Sequence, residues 1–359
     1  MGEAKKVPQE IKFSYGGQAV IEGVLMRGAN NAAIAVRNPE GEIVVHEQPL
    51  NKAIYRSWIA RTPFVRGLVG LWDALGLGMR ALMWAADVAL GEEEDISFNG
   101  PIGFATVAVS LVLGIGLFFL LPTTLATGIG SALGISAPEP VFEEANPDAT
   151  EAAVEADDGG QLFIFYEALP IGVEATIINF IEAVVQLGIL IIYISVIGQL
   201  NDVKRLFGYH GAEHKTINAY EAGDELTPEI VSTYPIEHPR CGTAFLLTVV
   251  FVSVFVFSLL GRPPFIWLII SRVVLIPVIA GIAYEYLKWS ADNLHRPWVR
   301  VIVKPNLMLQ HLTTREPDLT MCEVAITSFK RVLYSEGLID EAEAAIPEPN
   351  PLAVAPAGD

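Results

Sequence analysis

Charge is scarce in this chain, and basic charge scarcest of all. Only 18% of its 359 residues are Asp, Glu, Lys or Arg, and 41 acids outweigh 23 basic residues, for a formal net charge of −18. A soluble domain averages about 25% charged residues. No basic stripe is present to neutralise phosphates, which excludes a nucleic-acid partner. Cysteine is nearly absent as well, and two in the whole chain exclude a disulfide scaffold. The glycine-rich segment Gly16–Gly28 lacks a Walker lysine and dinucleotide spacing, so tight turns around a short apolar strand are its simplest reading. No internal repeat is visible. Apolar residues are plentiful, at 52% of the chain with a mean hydropathy of +0.43, which excludes a disordered chain.

The apolar residues fall into blocks. Crossing the hydrocarbon core takes about 20 of them. Ile102–Leu121 and Gly242–Gly261 contain no charge, Ala175–Leu200 contains only Glu182, and Pro264–Tyr284 contains only Arg272. Core helices seldom run so long without a polar face, so these four blocks are predicted transmembrane helices, near 102–121, 175–200, 242–261 and 264–284. None is a signal peptide, because the first begins a hundred residues in. The last two form a tight hairpin through Arg262-Pro263-Pro264.

Orientation follows from Lys and Arg. Residues 1–100 hold ten of them, 201–241 four and 285–334 seven, whereas the loop 122–160 holds none and eight acids. Both termini are therefore expected in the cytoplasm of a cell whose plasma membrane holds the protein. The outer loop and the tail 335–359, rich in Ala, Pro and Glu, read as solvated and disordered, and together they account for most of the negative charge.

The polar segments carry their own signals. In the N-terminal segment 1–62, Ala33–Arg37 and Glu42–Glu47 flank Asn38-Pro39-Glu40-Gly41, which fits a type I turn closed by a left-handed Gly and predicts a β-hairpin. In 63–100, Arg66, Asp73, Arg80 and Asp87 recur every seven residues opposite Leu68, Leu71, Leu75, Leu82 and Met83. That pattern predicts an amphipathic helix lying in the membrane interface, followed by an acidic linker. Within 285–334 a helix is expected at Cys322–Leu333. The fold expected is a mostly α membrane protein, with four transmembrane helices, an interfacial helix and a small α+β cytoplasmic cap.

One constellation could carry chemistry. His210-Gly211-Ala212-Glu213-His214 puts two imidazoles on one helix face, about 6 Å apart at Cβ. This is an H-x-x-E-H pattern, in which two histidines hold a divalent metal such as zinc and the carboxylate serves as general base. Two histidines make half a site. His238 and Cys241, at the far end of the same loop 201–241, are the candidates to complete it. Glu221 shares the helix face but lies about 10 Å along the axis from His214. Three ligands leave a position for water, and four make a closed structural site. The same groups could instead simply tie a compact loop together. Separately, Glu182 and Arg272 sit within different spans. Such charges are costly alone, and pairing them would staple span two to span four, with a transport pathway as the functional alternative.

These segments resemble the YqhQ-like family of uncharacterised bacterial membrane proteins, also labelled a domain of unknown function. The resemblance rests on Gly16–Gly28, Ala33–Leu50, Pro63–Gly67, Tyr209–Tyr220, His238–Thr243 and Leu312–Pro317, which span nearly the whole chain. It implies a metal-dependent enzyme, a label itself inferred from motifs such as His210, Glu213 and His214. Three readings follow. The first is a hydrolase with Glu213 catalytic and zinc or another divalent metal on His210, His214, His238 and Cys241. The second is a scaffold in the lipid bilayer that binds other membrane proteins. The third is a small transporter using Glu182 and Arg272. Oligomeric state is not legible in the sequence.

Overall fold

The computed structural model describes residues 15–51, 58, 62–90, 101–135, 173–261 and 265–349. The expected outer loop from 136 to 160, the acidic stretch 92–95, the Arg262 hairpin turn and the end of the tail lie outside these residues.

Four helices are long and apolar enough to cross a membrane: Gly103–Ala132, Val173–Ile197, Gly242–Leu260 and Ile266–Asp292. The first is built from α2 (Pro101–Ile115), a π-helical turn (Gly116–Leu120) and α3 (Leu121–Ala132). It continues past Leu121, where the expected span stopped, and Thr123, Thr124 and Thr127 satisfy their hydroxyls on carbonyls of the preceding turn. The π-turn loosens the ladder, and the Phe118 carbonyl accepts a bond from Gln186 at 3.0 Å instead. The other spans are α4 (Val173–Ile197), α7 (Gly242–Leu260) and α8 (Phe265–Asp292), the last remaining helical through Pro277.

The polar segments converge into one domain at one end of this bundle. Its centre is an antiparallel sheet in the order β1 (Gly16–Val20), β2 (Gly23–Arg27), β3 (Asn31–Arg37), β4 (Ile43–Pro49). The expected hairpin is β3–β4, with Gly41 at φ 85° and its N–H donating to the Asn38 carbonyl at 3.0 Å. The glycine-rich segment is a second hairpin, β1–β2. Its turn puts Glu22 at φ 49°, a conformation that costs a residue with a Cβ. Arg205, whose Nε lies 2.6 Å from the Glu22 carboxylate, and the Tyr209 hydroxyl hold it there.

Both faces of the sheet are covered, so β2 and β3 are buried almost without alternation. On one face Val24, Met26, Ala33 and Ala35 pack with α10 (Leu319–Ser335) and with the motif helix α5 (Asn201–Ala222). On the other, Leu25, Ile34 and Val36 pack with Leu77, Ala81 and Ala85 of α1 (Val65–Leu90). Each large aliphatic side chain so buried contributes about 1.5–3 kcal/mol. Thus α1 is more than an interfacial helix, since one side of it is part of the domain core. A second side remains apolar and exposed, with Leu68, Trp72, Leu75, Met79 and Leu82 recurring at three and four residues. Its start is fixed to the fourth span by Arg66, which grips Glu285 at 2.8 Å, and by Gly67, where a Cβ would stand 2.8 Å from the Tyr284 ring.

Two expectations need correction. The segment after span four contains a helix not foreseen, α9 (Pro297–Thr313), which packs against α7. The tail is also placed through residue 349, not disordered from Tyr334. Glu336 bonds the backbone N–H groups of Ala29 and Asn30 and the Tyr15 hydroxyl, and Ala344 is buried.

Candidate functional site

Helix α5 carries the H-x-x-E-H residues and ends at Gly223, whose φ of 79° only glycine adopts freely. The chain then folds back along the same helix. Lys215 donates to the carbonyls of Ser232 and Tyr234, Asn218 to those of Pro235 and Glu237, and His214 to that of Ile236. These bonds return Cys241 to the start of span three, beside His210.

Three ligand atoms meet there. His210, His214 and Cys241 each offer one within 4.8 Å of the others. The tautomers are fixed by their partners. His210 Nδ1 lies 2.8 Å from the Thr313 carbonyl and His214 Nδ1 lies 2.5 Å from the Ile236 carbonyl. A carbonyl only accepts, so each Nδ1 carries the proton and each Nε2 presents its lone pair to the centre. Metal-bound histidines are oriented in just this way. Cys241 is the N-cap of α7, where its sulfur accepts from the Thr243 N–H at 3.4 Å and lies 3.3 Å from His210 Nε2. The other cysteine, Cys322, is fully buried in the domain core, where burial pushes its thiol up to about 11.

The donor set fits a divalent metal, and one of its donor atoms is left open. His214 is only 1% exposed, and its Nε2 has no hydrogen-bond partner among the described residues. An orphaned buried nitrogen of this kind costs about 1–3 kcal/mol. Glu213, also buried, places a carboxylate oxygen 3.6 Å from His214 Nε2 and 3.9 Å from His210 Nε2. Burial opposes charging His214, but Glu213 and Cys241 beside it more than offset this and hold its pKa above the usual histidine value.

His238 stands next to the cluster without joining it. Its ring centroid is 5.6 Å from that of His214, and its Nε2 faces Arg240 at 3.4 Å. Burial, with Arg240 and two histidines nearby, pushes its pKa down to about 3. Arg240 in turn pairs with Glu221, so the carboxylate set aside as too distant is engaged elsewhere.

The intramembrane charges do pair. Arg272 donates from Nε and Nη2 to both oxygens of Glu182, at 3.1 and 3.0 Å, and also to Asn179. Thr123 donates to Glu182 at 2.9 Å, Asn179 bonds the Phe257 carbonyl, and the guanidinium lies 3.6 Å over the Phe257 ring. All four spans contribute to this cluster, and none of its buried polar atoms lacks a partner. The bidentate pair ties span two to span four.

The family model for a protein of unknown function (DUF1385) matches residues 62–335. The chain belongs to this family. It is also 31% identical to the uncharacterized protein YqhQ of Bacillus subtilis (strain 168), over 342 residues that cover 91% of this chain and 95% of that protein. No solved structure matches.

Several members of the site were not legible as such. Gln310, on α9 and fully buried, clamps the His238 backbone from both sides, accepting from its N–H at 2.9 Å and donating to its carbonyl at 2.8 Å. Thr313 orients His210, and the following strap crosses α5 at Gly211, where a Cβ would stand 2.1 Å from the Arg315 carbonyl. Gly17 lets β1 pass Glu213, because a Cβ there would stand 2.9 Å from Glu213 Cγ. The buried positions Val299, Val303, Asn306 and Gln310 do recur at helical spacing, a signal that could have revealed α9.

Proposed function

We propose that this protein is a metal-dependent membrane hydrolase whose site lies where the polar domain meets span three, on the cytoplasmic face of the plasma membrane. The observation that carries this reading is the convergence of two oriented Nε2 atoms and one sulfur beside a buried carboxylate. Three such ligands leave a coordination position open for water, whereas a fourth, His238, would close it. His238 is held by Arg240 and Gln310, which favours the open form. The excess of Lys and Arg in the segments that build the domain supports the cytoplasmic side.

In this reading His210, His214 and Cys241 hold the ion, zinc being the metal such donors suit best. A divalent metal there supplies a Lewis acid and an acidified water. The carbonyls of Thr313 and Ile236 keep both imidazoles in the tautomer that binds. Glu213 takes the proton from the attacking water on its carboxylate and returns it to the leaving group. Its burial keeps bulk water from competing.

Elemental analysis of the detergent-purified protein tests the ion. About one metal per chain is expected in the wild type and none in His210→Ala/His214→Ala. Glu213→Gln should keep the metal and lose hydrolysis by roughly 100-fold or more. Metal retained in the double variant, or full activity in Glu213→Gln, would overturn the reading. A scaffold would tolerate Glu213→Gln.

A further inference from the structure

A second constellation lies on the opposite side of α5, at the foot of span two. A depression of about 310 Å³ there is lined by Lys204, Arg205, Gly208, Arg315, Glu316 and Asp318. The charges in it are unevenly used. Arg205 is spent on Glu22. Glu316 pairs with Lys215 at 2.9 Å. Asp318 caps α10, accepting from the Met321 N–H at 2.8 Å and from the Thr320 hydroxyl. Lys204 and Arg315 are left without a carboxylate partner among the described residues. Arg315 is nevertheless held in place. Its Nη1 donates to the carbonyls of His311 and Thr314, at 2.8 and 3.0 Å, and its guanidinium lies 5.9 Å over the Phe207 ring.

The depression adjoins the membrane. Arg315 Nη2 lies 3.9 Å from where a Cβ on Gly198 would stand, and Gly198 follows the last residue of span two. Leu200, whose carbonyl accepts from the Lys204 N–H at 2.9 Å, is 59% exposed and apolar, as a lipid-facing residue is. Lys204 and Arg315 thus stand beside the exposed apolar end of span two. Gly208 lets Met321 close the floor, since a Cβ there would stand 2.7 Å from Met321 Sδ.

We propose that this depression binds the phosphate of an anionic phospholipid from the leaflet on the domain side. The Arg315 fork takes two phosphate oxygens and Lys204 supplies a point charge, while the acyl chains lie along Leu200. Free phosphate shares the headgroup chemistry but has no use for the apolar flank, and this separates the two sources.

The test is native mass spectrometry of the full chain, exposed to equal amounts of phosphatidylglycerol and phosphatidylcholine. The wild type should favour phosphatidylglycerol. Lys204→Gln and Arg315→Gln should each reduce that preference roughly fivefold, and the double variant roughly 25-fold. Melting temperature and metal content serve as controls for folding and for the neighbouring site, so this proposal can fail while the hydrolase reading stands. Should the Arg315 variants misfold, Lys204→Glu, at an exposed position, should still abolish the preference. No preference in the wild type, or an unchanged one in a folded double variant, would overturn the proposal. Displacement of the lipid by millimolar glycerol phosphate would assign the site to a soluble phosphate instead.

Discussion

The molecule buries two polar constellations, and they are finished differently. In the membrane, Glu182, Arg272, Asn179 and Thr123 satisfy one another completely. In the domain, His210, His214, Cys241 and Glu213 are oriented with equal care, yet His214 Nε2 is left facing its neighbours without a partner. A satisfied network holds helices together. A convergence kept in place by bonds from outside leaves its central donor atoms open.

Breaking the closed cluster should have the largest effect. Arg272→Leu leaves the Glu182 charge buried without its partner and should cost about 3–5 kcal/mol, seen as loss of folded protein after extraction. Glu182→Leu/Arg272→Leu should recover much of that loss, because no lone charge remains. If the double variant is as poorly folded as the single one, the pair does more than staple the spans.

The strap that orients His210 offers a sharper cut. Gly211→Ala drives a methyl into the Arg315 carbonyl and should lower stability by about 1–3 kcal/mol. It should also weaken metal binding, since Thr313 would shift with the strap. A calorimetric melt and a zinc titration read the two effects separately.

His214→Ala should have the smallest effect on the metal-free protein. It loses one bond to Ile236 and opens space at a fully buried position, but it also removes an orphaned nitrogen, so the terms oppose each other and about 1–2 kcal/mol is expected. Added zinc should raise the melting temperature of the wild type and leave this variant unchanged. A loss as large as that of Arg272→Leu would mean that the site is a structural network like the one in the membrane.

Much of this was legible from local pattern. Long apolar runs with at most one charge give the spans, because lone charges are costly in hydrocarbon, and Asn38-Pro39-Glu40-Gly41 gives the hairpin, because its residues suit the turn geometry. The i, i+4 histidines give half the site, because helical periodicity alone puts them on one face. Helix α9 was hidden by its Lys, Arg and two prolines, which read as irregular until packing against α7 covers one side.

By itself the sequence determined what chain-local physics controls: which segments enter the bilayer, which turns close, and which histidines share a face. Only the tertiary structure decided which of the distant candidates completes the cluster. His238 and Cys241 are equally plausible ligands on paper. The loop's bonds to α5, with Gln310 and Arg240 holding His238, bring Cys241 to the histidines and leave His238 alongside. Glu182 and Arg272 likewise meet only because the four helices pack with those faces inward, and a lone charge in lipid costs too much for any other arrangement to persist.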